Sequence, residues 1–397
     1  MNIKNIEKRK VTLLYTLLQV MTWSFYAVNM GFSSNVLYGF GYSDSQVSLL
    51  LTVATVGAFV VQLSTAELIS RVPKVKVWGV LVVFGVMMGL SNLTMLLPGV
   101  PKTMAVAAFA VTCLLLQIIP PLSNAMGMEA IKRGSPTNYS FARGMGSLGY
   151  CVLAYGTGAL VSRFGSTVVP VVSGICALAM VAAVILYHAI GERGLAEVVP
   201  AQVPVAEKKR GFLAQYPRFA IFLVAAIFLQ MNQNLLCSFM YQIMLVKQGG
   251  AAEQGTANAI CAFVEIPVML LFPLMVRRLR CDLWVRLSSV FFVIKTLGIF
   301  MADAPGGVYL AQTTQMLGYG LYTISSVNYA EMVVAPGESV RAQSYLGSTC
   351  TVGVLLAVAT GGVICDYMGA QTMILVAMVV GIIGCVTITL IAQKTKK

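Results

Sequence analysis

The sequence predicts an all-α membrane protein of twelve transmembrane helices in two six-helix, pseudo-symmetric halves. Composition, the recurrence of long apolar runs and the placement of basic residues each point there. Of 397 residues, 58% are hydrophobic and 10% charged, whereas a soluble domain carries about 25% charged residues. The mean hydropathy is +0.83. A helix that crosses a bilayer needs about 20 mostly apolar residues, and runs of that kind recur along the chain between short polar breaks. Barrel strands would alternate and be about half as long, and the sequence has no such pattern.

In order, the runs cover residues 11–38, 45–69, 76–98, 102–130, 138–162, 167–190, 217–245, 252–276, 284–302, 306–332, 341–364 and 370–392. With the N-terminus in the cytoplasm, 22 Lys and Arg fall on the cytoplasmic side, and Lys102, Arg163 and Lys247 on the other. That is the asymmetry membrane insertion favours, and adding or dropping one span would scramble it. The expectation is a multi-pass protein of the cell membrane, the inner membrane in a bacterium, with both termini cytoplasmic. The net charge of +13 then reads as topology and contact with the anionic lipid bilayer, not as nucleic-acid binding. A short basic segment precedes a run too long for a cleavable signal, so the first helix is expected to act as an uncleaved insertion signal.

The longest polar stretch divides the chain. Residues 191–216 contain Pro200, Pro204 and the run Glu207-Lys208-Lys209-Arg210, which predicts a cytoplasmic central loop between an N-terminal half, 1–190, and a C-terminal half, 217–397. Internal repetition supports two halves. The fifth run ends Gly158-Ala-Leu-Val-Ser-Arg-Phe-Gly165 and the eleventh ends Gly362-Val-Ile-Cys-Asp-Tyr-Met-Gly369, while Gly146-Ser147 and Gly347-Ser348 match with a small gap. Repeated halves about a midplane site are the construction of many transporters.

Enzymatic readings lack parts. The sequence has no Walker A lysine loop, HExxH, GxSxG or paired intramembrane aspartates, so neither ATP-driven transport nor intramembrane hydrolysis has a constellation. His188 is the single histidine, which leaves a zinc site or catalytic dyad without its members; an interfacial place or a proton-carrying role remains for it. Nine cysteines occur without CxxC or metal-type spacing and read as small packing residues. The expectation is a protein that is not an enzyme and holds no metal or cofactor, with a proton as coupling ion.

Polar groups inside apolar runs are the candidate site, because a mid-membrane charge costs roughly 2.5 to 3.5 kcal/mol on insertion scales. Glu129 and Arg143 flank one short turn. Arg143 offers a planar five-donor fork suited to carboxylates and hydroxyls, although a structural Glu129–Arg143 bridge, or Glu129 at the cytoplasmic surface, would use the same residues. Glu265 and Lys295 lie deeper, as a structural pair or as a switch that a proton or substrate releases. Gln230, Asn232, Gln233 and Asn234 cannot all face lipid. Gln230, Asn234 and Tyr241 share a helical face, as do Trp23, Tyr26 and more loosely Asn29, and Gln312, Gln315, Tyr319 and Tyr322 form a stripe. These line a cavity or bond helices together. Asp44 reads as a helix cap on the outer loop.

The spans, the basic central stretch and the repeat resemble the major facilitator superfamily. The stretch from Met128-Glu129-Ala130-Ile131 to Asn138-Tyr139-Ser140-Phe141-Ala142-Arg143-Gly144-Met145-Gly146-Ser147-Leu148-Gly149-Tyr150 resembles its lactose permease-like branch, the oligosaccharide:proton symporters. The resemblance implies that Glu129 and Arg143 bond substrate hydroxyls and that Tyr150 stacks on a sugar ring. It implies that Glu265, in Phe263-Val264-Glu265-Ile266-Pro267, binds substrate, with Lys295 near a coupling arginine of helix 9; its depth in the span makes Glu265 the expected carrier of the coupling proton. Gln315 and Gly318 stand where that branch has a titratable His and Glu. The Gly-x-x-x-Asp-Arg-x-Gly loop is reduced to Ala66-Glu67-Leu68-Ile69-Ser70-Arg71-Val72-Pro73-Lys74, and the loop between Glu129 and Arg143 is shorter.

The resulting expectation is a secondary active transporter, working as a monomer by alternating access, that takes up a small polar solute, a sugar or oligosaccharide, by proton symport. Substrate-binding positions are Glu129, Arg143, Tyr150, Trp23, Tyr26, Asn234, Glu265 and Gln315; proton-coupling positions are Glu265 and Lys295. A nucleoside or aromatic-acid proton symporter is the main alternative, ahead of a drug exporter or a transporter-like receptor.

Overall fold

The structure, a computed structural model, describes residues 3–72, 74–132, 135, 137–191, 212–335 and 338–395, which leaves most of the predicted central loop, 191–216, outside the described residues. The chain divides into two compact units, Met1–Tyr42 with Leu50–Ala201, and Ser43–Leu49 with Gln202–Lys397. Among the described residues all regular structure is helical.

The first stretch of chain forms α1 (Ile3–Gly31), α2 (Ser33–Gly39), α3 (Asp44–Arg71), α4 (Val77–Thr94), α5 (Lys102–Leu116), α6 (Ile119–Lys132), α7 (Tyr139–Phe164) and α8 (Val168–Leu186), the last running into a π-turn, Tyr187–Gly191. The second forms α9 (Phe212–Gln215), α10 (Pro217–Ser238), α11 (Met240–Val246), α12 (Ala251–Arg278), α13 (Cys281–Met301), α14 (Pro305–Thr313), a 3-10 turn (Thr314–Met316), α15 (Tyr319–Val333), α16 (Ser339–Met368) and α17 (Ala370–Ile391).

Ten helices among the described residues are long and apolar enough to cross a membrane, against twelve predicted spans. The span predicted over 252–276 is one unbroken helix, α12. The span predicted over 306–332 is interrupted at Thr314–Gly318, between α14 and α15. The first, fourth and seventh predicted spans are also broken, at Phe32, at Gln117–Ile118 and at Phe239. Every third span is therefore discontinuous. Backbone freed at such a break needs partners from protein or water, so breaks at membrane depth mark interior and not lipid-facing positions.

Close packing within each unit rests on glycines of α7 and α16. A Cβ at Gly146 would fall 2.7 Å from Trp23 Cδ1, and one at Gly149 would meet Ser24 Oγ and Val20 Cγ1 at 2.9 Å, so α1 lies directly on α7. Gly353 admits Gln230 of α10 to α16 in the same way, whereas Gly347, expected to be the repeat partner of Gly146, meets nothing within 4 Å. The repeat needs no gap: Gly149 and Gly353, Gly158 and Gly362, and Gly165 and Gly369 stand at one common offset. Gly165 and Gly369 end α7 and α16 at φ 79° and 83°, and each donates its N–H to the carbonyl four residues earlier, at 2.9 and 3.1 Å. Positive φ at a helix end is the glycine C-terminal signal, here used twice.

Asp44 is not the cap of α3. Ser43 is, in a capping box with Gln46: Gln46 N donates to Ser43 Oγ at 3.4 Å and Ser43 N to Gln46 Oε1 at 3.0 Å. Asp44 instead accepts from Gln242 Nε2 at 2.8 Å, and the Asp366 carboxylate takes the Asp44 and Ser45 N–H groups at 2.9 and 2.7 Å. Lys247, at the end of α11, donates to Phe300 O and Gln371 Oε1, each at 3.1 Å, joining helix ends of the second unit. Burial pushes its ammonium below the ordinary lysine range, and the Asp303 carboxylate opposes that shift. His188 stacks on Trp78 with centroids 4.2 Å apart and planes 14° from parallel.

Candidate functional site

In each unit a polar cluster joins side chains of a discontinuous span to those of unbroken helices. In the first unit, Asn138 opens α7 by accepting from Phe141 N at 3.1 Å, which puts Arg143 in the second turn. The Arg143 guanidinium carbon lies 3.9 Å from the centre of the Trp23 ring, and Nη1 donates to Ser147 Oγ at 3.1 Å, one turn along α7. Stacking of this kind contributes about 0.5 to 2 kcal/mol and orients the fork. Trp23 in turn donates Nε1–H to Gln19 Oε1 at 3.1 Å. Tyr26 packs obliquely on Trp23, with centroids 5.5 Å apart.

Gln19, which the sequence reading did not single out, is the hub of this cluster. It is fully buried. Tyr15 Oη, Ser123 Oγ and Asn124 Oδ1 lie 2.7, 3.1 and 3.2 Å from its Nε2, so its amide ties α1 to α6 while its carbonyl oxygen holds Trp23. Spacing offered a signal: Gln19 and Trp23, like Arg143 and Ser147, stand four apart and so share a helix face.

Glu129 stays outside this arrangement. It is exposed on α6 and, among the described residues, makes no hydrogen bond or ion pair, so the structural Glu129–Arg143 bridge weighed from the sequence does not form. Tyr150 is half-buried on α7, seven residues beyond Arg143. Asn29 is not a lining residue: it is fully buried, bonds Phe25 O at 2.9 Å and accepts from Ser173 Oγ at 2.8 Å, which makes it a bond between α1 and α8.

In the second unit, Glu265 and Lys295 are joined through Gln315. Gln315 Nε2 donates to Glu265 Oε1 at 2.8 Å, and Lys295 Nζ donates to Gln315 Oε1 at 2.5 Å and to Gln233 Oε1 at 3.2 Å. One amide thus touches a carboxylate with its donor and an ammonium with its acceptor. Lys295 and Gln315 are buried and Glu265 is half-buried. Gln315 reaches this position because the tenth span is broken there: it sits in the 3-10 turn between α14 and α15, and not on the continuous stripe expected with Gln312, Tyr319 and Tyr322. Gln312 is fully buried, and neither amide atom has a partner among the described residues.

The amides of α10 divide by role. Gln233 serves the cluster; Asn232 bonds Thr296 Oγ1 at 2.9 Å and Ala377 O at 2.7 Å, tying α10 to α13 and α17. Asn234 turns its Nδ2 back to Gln230 O at 2.8 Å. Tyr241 lies beyond the break at Phe239, so the face it was expected to share with Gln230 and Asn234 ends before it. Gln233 Nε2 also donates to Cys237 Sγ at 3.1 Å.

Comparison with known proteins places this fold. The nucleoside transporter NupG, in a mutant form, superposes with a TM-score of 0.75 at 11% identity, covering 96% of this chain and 100% of that one. An auto-inhibited POT family peptide transporter gives 0.68 at 11% identity, with 96% of each chain covered. At such identities the likeness is one of fold. No curated protein sequence matches. The model of the MFS_1 like family matches residues 15–376, nearly the whole described chain, and the protein belongs to that family and with it to the major facilitator superfamily.

Proposed function

We propose that the protein is a secondary transporter that takes up a small polyhydroxylated solute together with protons, by alternating access of its two halves. The observation that carries this reading is the Glu265–Gln315–Lys295 bridge on an interrupted span. A carboxylate is the group in that cluster that gains or loses a proton while remaining hydrogen-bonded, and a single amide passes the change to a buried ammonium. Arg143, held over the Trp23 ring, supplies the fork that grips hydroxyls.

In this reading Arg143 and Gln315 contact the solute, Glu265 takes the proton, and Lys295 answers to the charge on Glu265. Tyr150, Tyr26, Asn234 and Glu129 complete the proposed binding set. Trp23 acts by positioning Arg143, since its ring face and its N–H are both engaged. A sugar suits this donor-rich set. A nucleoside suits it as well, and the likeness to a nucleoside transporter gives that second reading equal standing.

Uptake into proteoliposomes under an imposed pH gradient, across a panel of sugars and nucleosides, tests both. The expected outcome is gradient-driven accumulation of one class, lost in Glu265→Gln while solute exchange without a gradient persists. Accumulation that survives in Glu265→Gln would remove the proton from this site.

A further inference from the structure

The Lys295 ammonium is bonded to two amides, and the function proposed above uses only one of them. Nζ donates to Gln315 Oε1 at 2.5 Å and to Gln233 Oε1 at 3.2 Å. All three side chains are buried. Gln315 stands in the 3-10 turn between α14 and α15 and is bonded to Glu265, whereas Gln233 stands on α10. The second amide is itself held in place: its Nε2 donates to Cys237 Sγ at 3.1 Å, one turn along α10, which leaves its oxygen for the lysine. The shorter of the two bonds goes to the amide that touches the carboxylate.

The state of Glu265 decides how the lysine divides itself between them. An ionised carboxylate that accepts from the Gln315 amide polarises it and makes its oxygen a stronger acceptor. Protonation removes the charge that assists this bond, which about halves its strength. It also gives Glu265 an O–H donor, for which the same amide offers its oxygen. The lysine then competes with a new donor at Gln315, whereas Gln233, bonded to the lysine and to Cys237, does not share the carboxylate. We propose that Gln233 is the second seat of the Lys295 ammonium: protonation of Glu265 moves the lysine from Gln315 onto Gln233, and the arrival of the proton is thereby passed from the turn after α14 to α10. Gln233 is a positioning residue in this step. It lies six residues before the break at Phe239 and three after Gln230, which packs into Gly353 of α16, so a displacement of α10 reaches both. Around the cluster lie further ionisable groups, all thiols or phenols: Cys237 beside Gln233, Cys261 one turn before Glu265, and Tyr319, whose ring packs on Phe292 one turn before Lys295. Such groups ordinarily titrate above neutrality. The use of the exchange in transport rests on the function proposed above; the exchange itself does not.

The full chain in lipid nanodiscs tests this without a solute. The infrared carbonyl band of a protonated carboxylic acid, assigned in each variant by its loss on Glu265→Gln, is followed against pH. Gln233→Leu should move the midpoint of that titration down by about one pH unit, a tenfold loss of proton affinity, because the protonated state depends most on the second seat. Gln233→Glu should move it up, because a carboxylate there draws the ammonium onto α10. In a Lys295→Met background Gln233→Leu should move the midpoint no further, since the lysine is what links the two amides. An unmoved midpoint in Gln233→Leu, which is the result for a merely structural amide, would overturn the proposal. So would a fall in Gln233→Glu, or the same displacement with and without Lys295. In proteoliposomes, gradient-driven accumulation across the panel of sugars and nucleosides should shift along the pH axis with the infrared midpoint. A failure of the transporter reading looks different: the parent would accumulate none of the panel, while the infrared midpoints would still move as stated.

Discussion

The clusters of the two units are built from different chemistry. In the first, a guanidinium lies on an indole, and the indole is anchored by an amide buried among hydroxyls. Arginine does not deprotonate in proteins, and serine and glutamine do not titrate near neutrality. The charge of that cluster is therefore fixed. In the second, a carboxylate and an ammonium share one glutamine, and a proton added to or taken from the carboxylate changes what the amide can do for the lysine. The difference teaches where a pH response can arise. In the function proposed above, recognition by fixed donors falls to the first unit and the proton-dependent step to the second.

The strongest way to break this division is Gln315→Leu. The substitution removes the acceptor for a buried ammonium and a donor to Glu265, and leaving a charged group short of a partner costs about 1.5 to 3 kcal/mol. Expressed as coupling, that corresponds to a loss of roughly ten- to a hundredfold in pH-driven accumulation. The solute KM, set in this account chiefly by Arg143 with a contact from Gln315, should rise by less than the accumulation falls. If Gln315→Leu raised KM and left the pH dependence intact, the two roles would have to be exchanged.

Arg143→Lys probes the other side. Lysine keeps the charge but loses the planar fork and the flat stack on Trp23. The expected effect is a rise in KM of about tenfold, ~1.4 kcal/mol, with the pH profile unchanged. Equal KM in zero-gradient exchange for Arg143→Lys and the parent would remove the bidentate contact. Gln19→Leu should do part of the same damage from a distance: it frees the Trp23 N–H and loosens the stack, for an increase in KM of about threefold. Gln19→Glu, which preserves the acceptor for Trp23, should recover most of it, and a purely structural role for Gln19 would show no such recovery.

How much of this could be read from the sequence depends on the kind of signal. Membrane character, the two halves and the glycine-ended repeat follow from composition and spacing, because lipid imposes length and polarity on each helix separately. The breaks in every third span were only partly legible. Pro120–Pro121 and Gly318 mark two of them, but Phe32 and Phe239 carry no local signal, since there the interruption is set by what packs around the helix. Reading through those breaks is what put Gln312, Gln315, Tyr319 and Tyr322 on one stripe. Charged residues stood out by cost alone: Arg143, Glu265 and Lys295 each lie in a polar cluster, while Glu129, singled out on the same ground, lies outside one. Gln19 did not stand out, because an amide in an apolar run looks the same whether it is glue or hub. For Asn29 and Asn232 the sequence left cavity lining and inter-helix bonding both open, and the structure shows the second.

The smallest effect tests whether the halves, so different at their clusters, are alike in their framework. Gly165 and Gly369 occupy equivalent helix ends at φ 79° and 83°, and a Cβ at either would touch nothing within 4 Å. With no packing term, the penalty for alanine is that of the backbone alone, which at positive φ with ψ of 176° and 157° is open essentially to glycine and costs about 1 to 3 kcal/mol. Gly165→Ala and Gly369→Ala should therefore lower stability in detergent by the same amount, measured as denaturant midpoints, with neither changing the KM or the pH profile. A large inequality would mean that one turn is held by contacts its counterpart lacks, and the repeat would then be one of sequence without equal physical weight. Equal costs would locate the divergence of the halves in the side chains of the two clusters, one fixed and one titratable, and not in the helix ends.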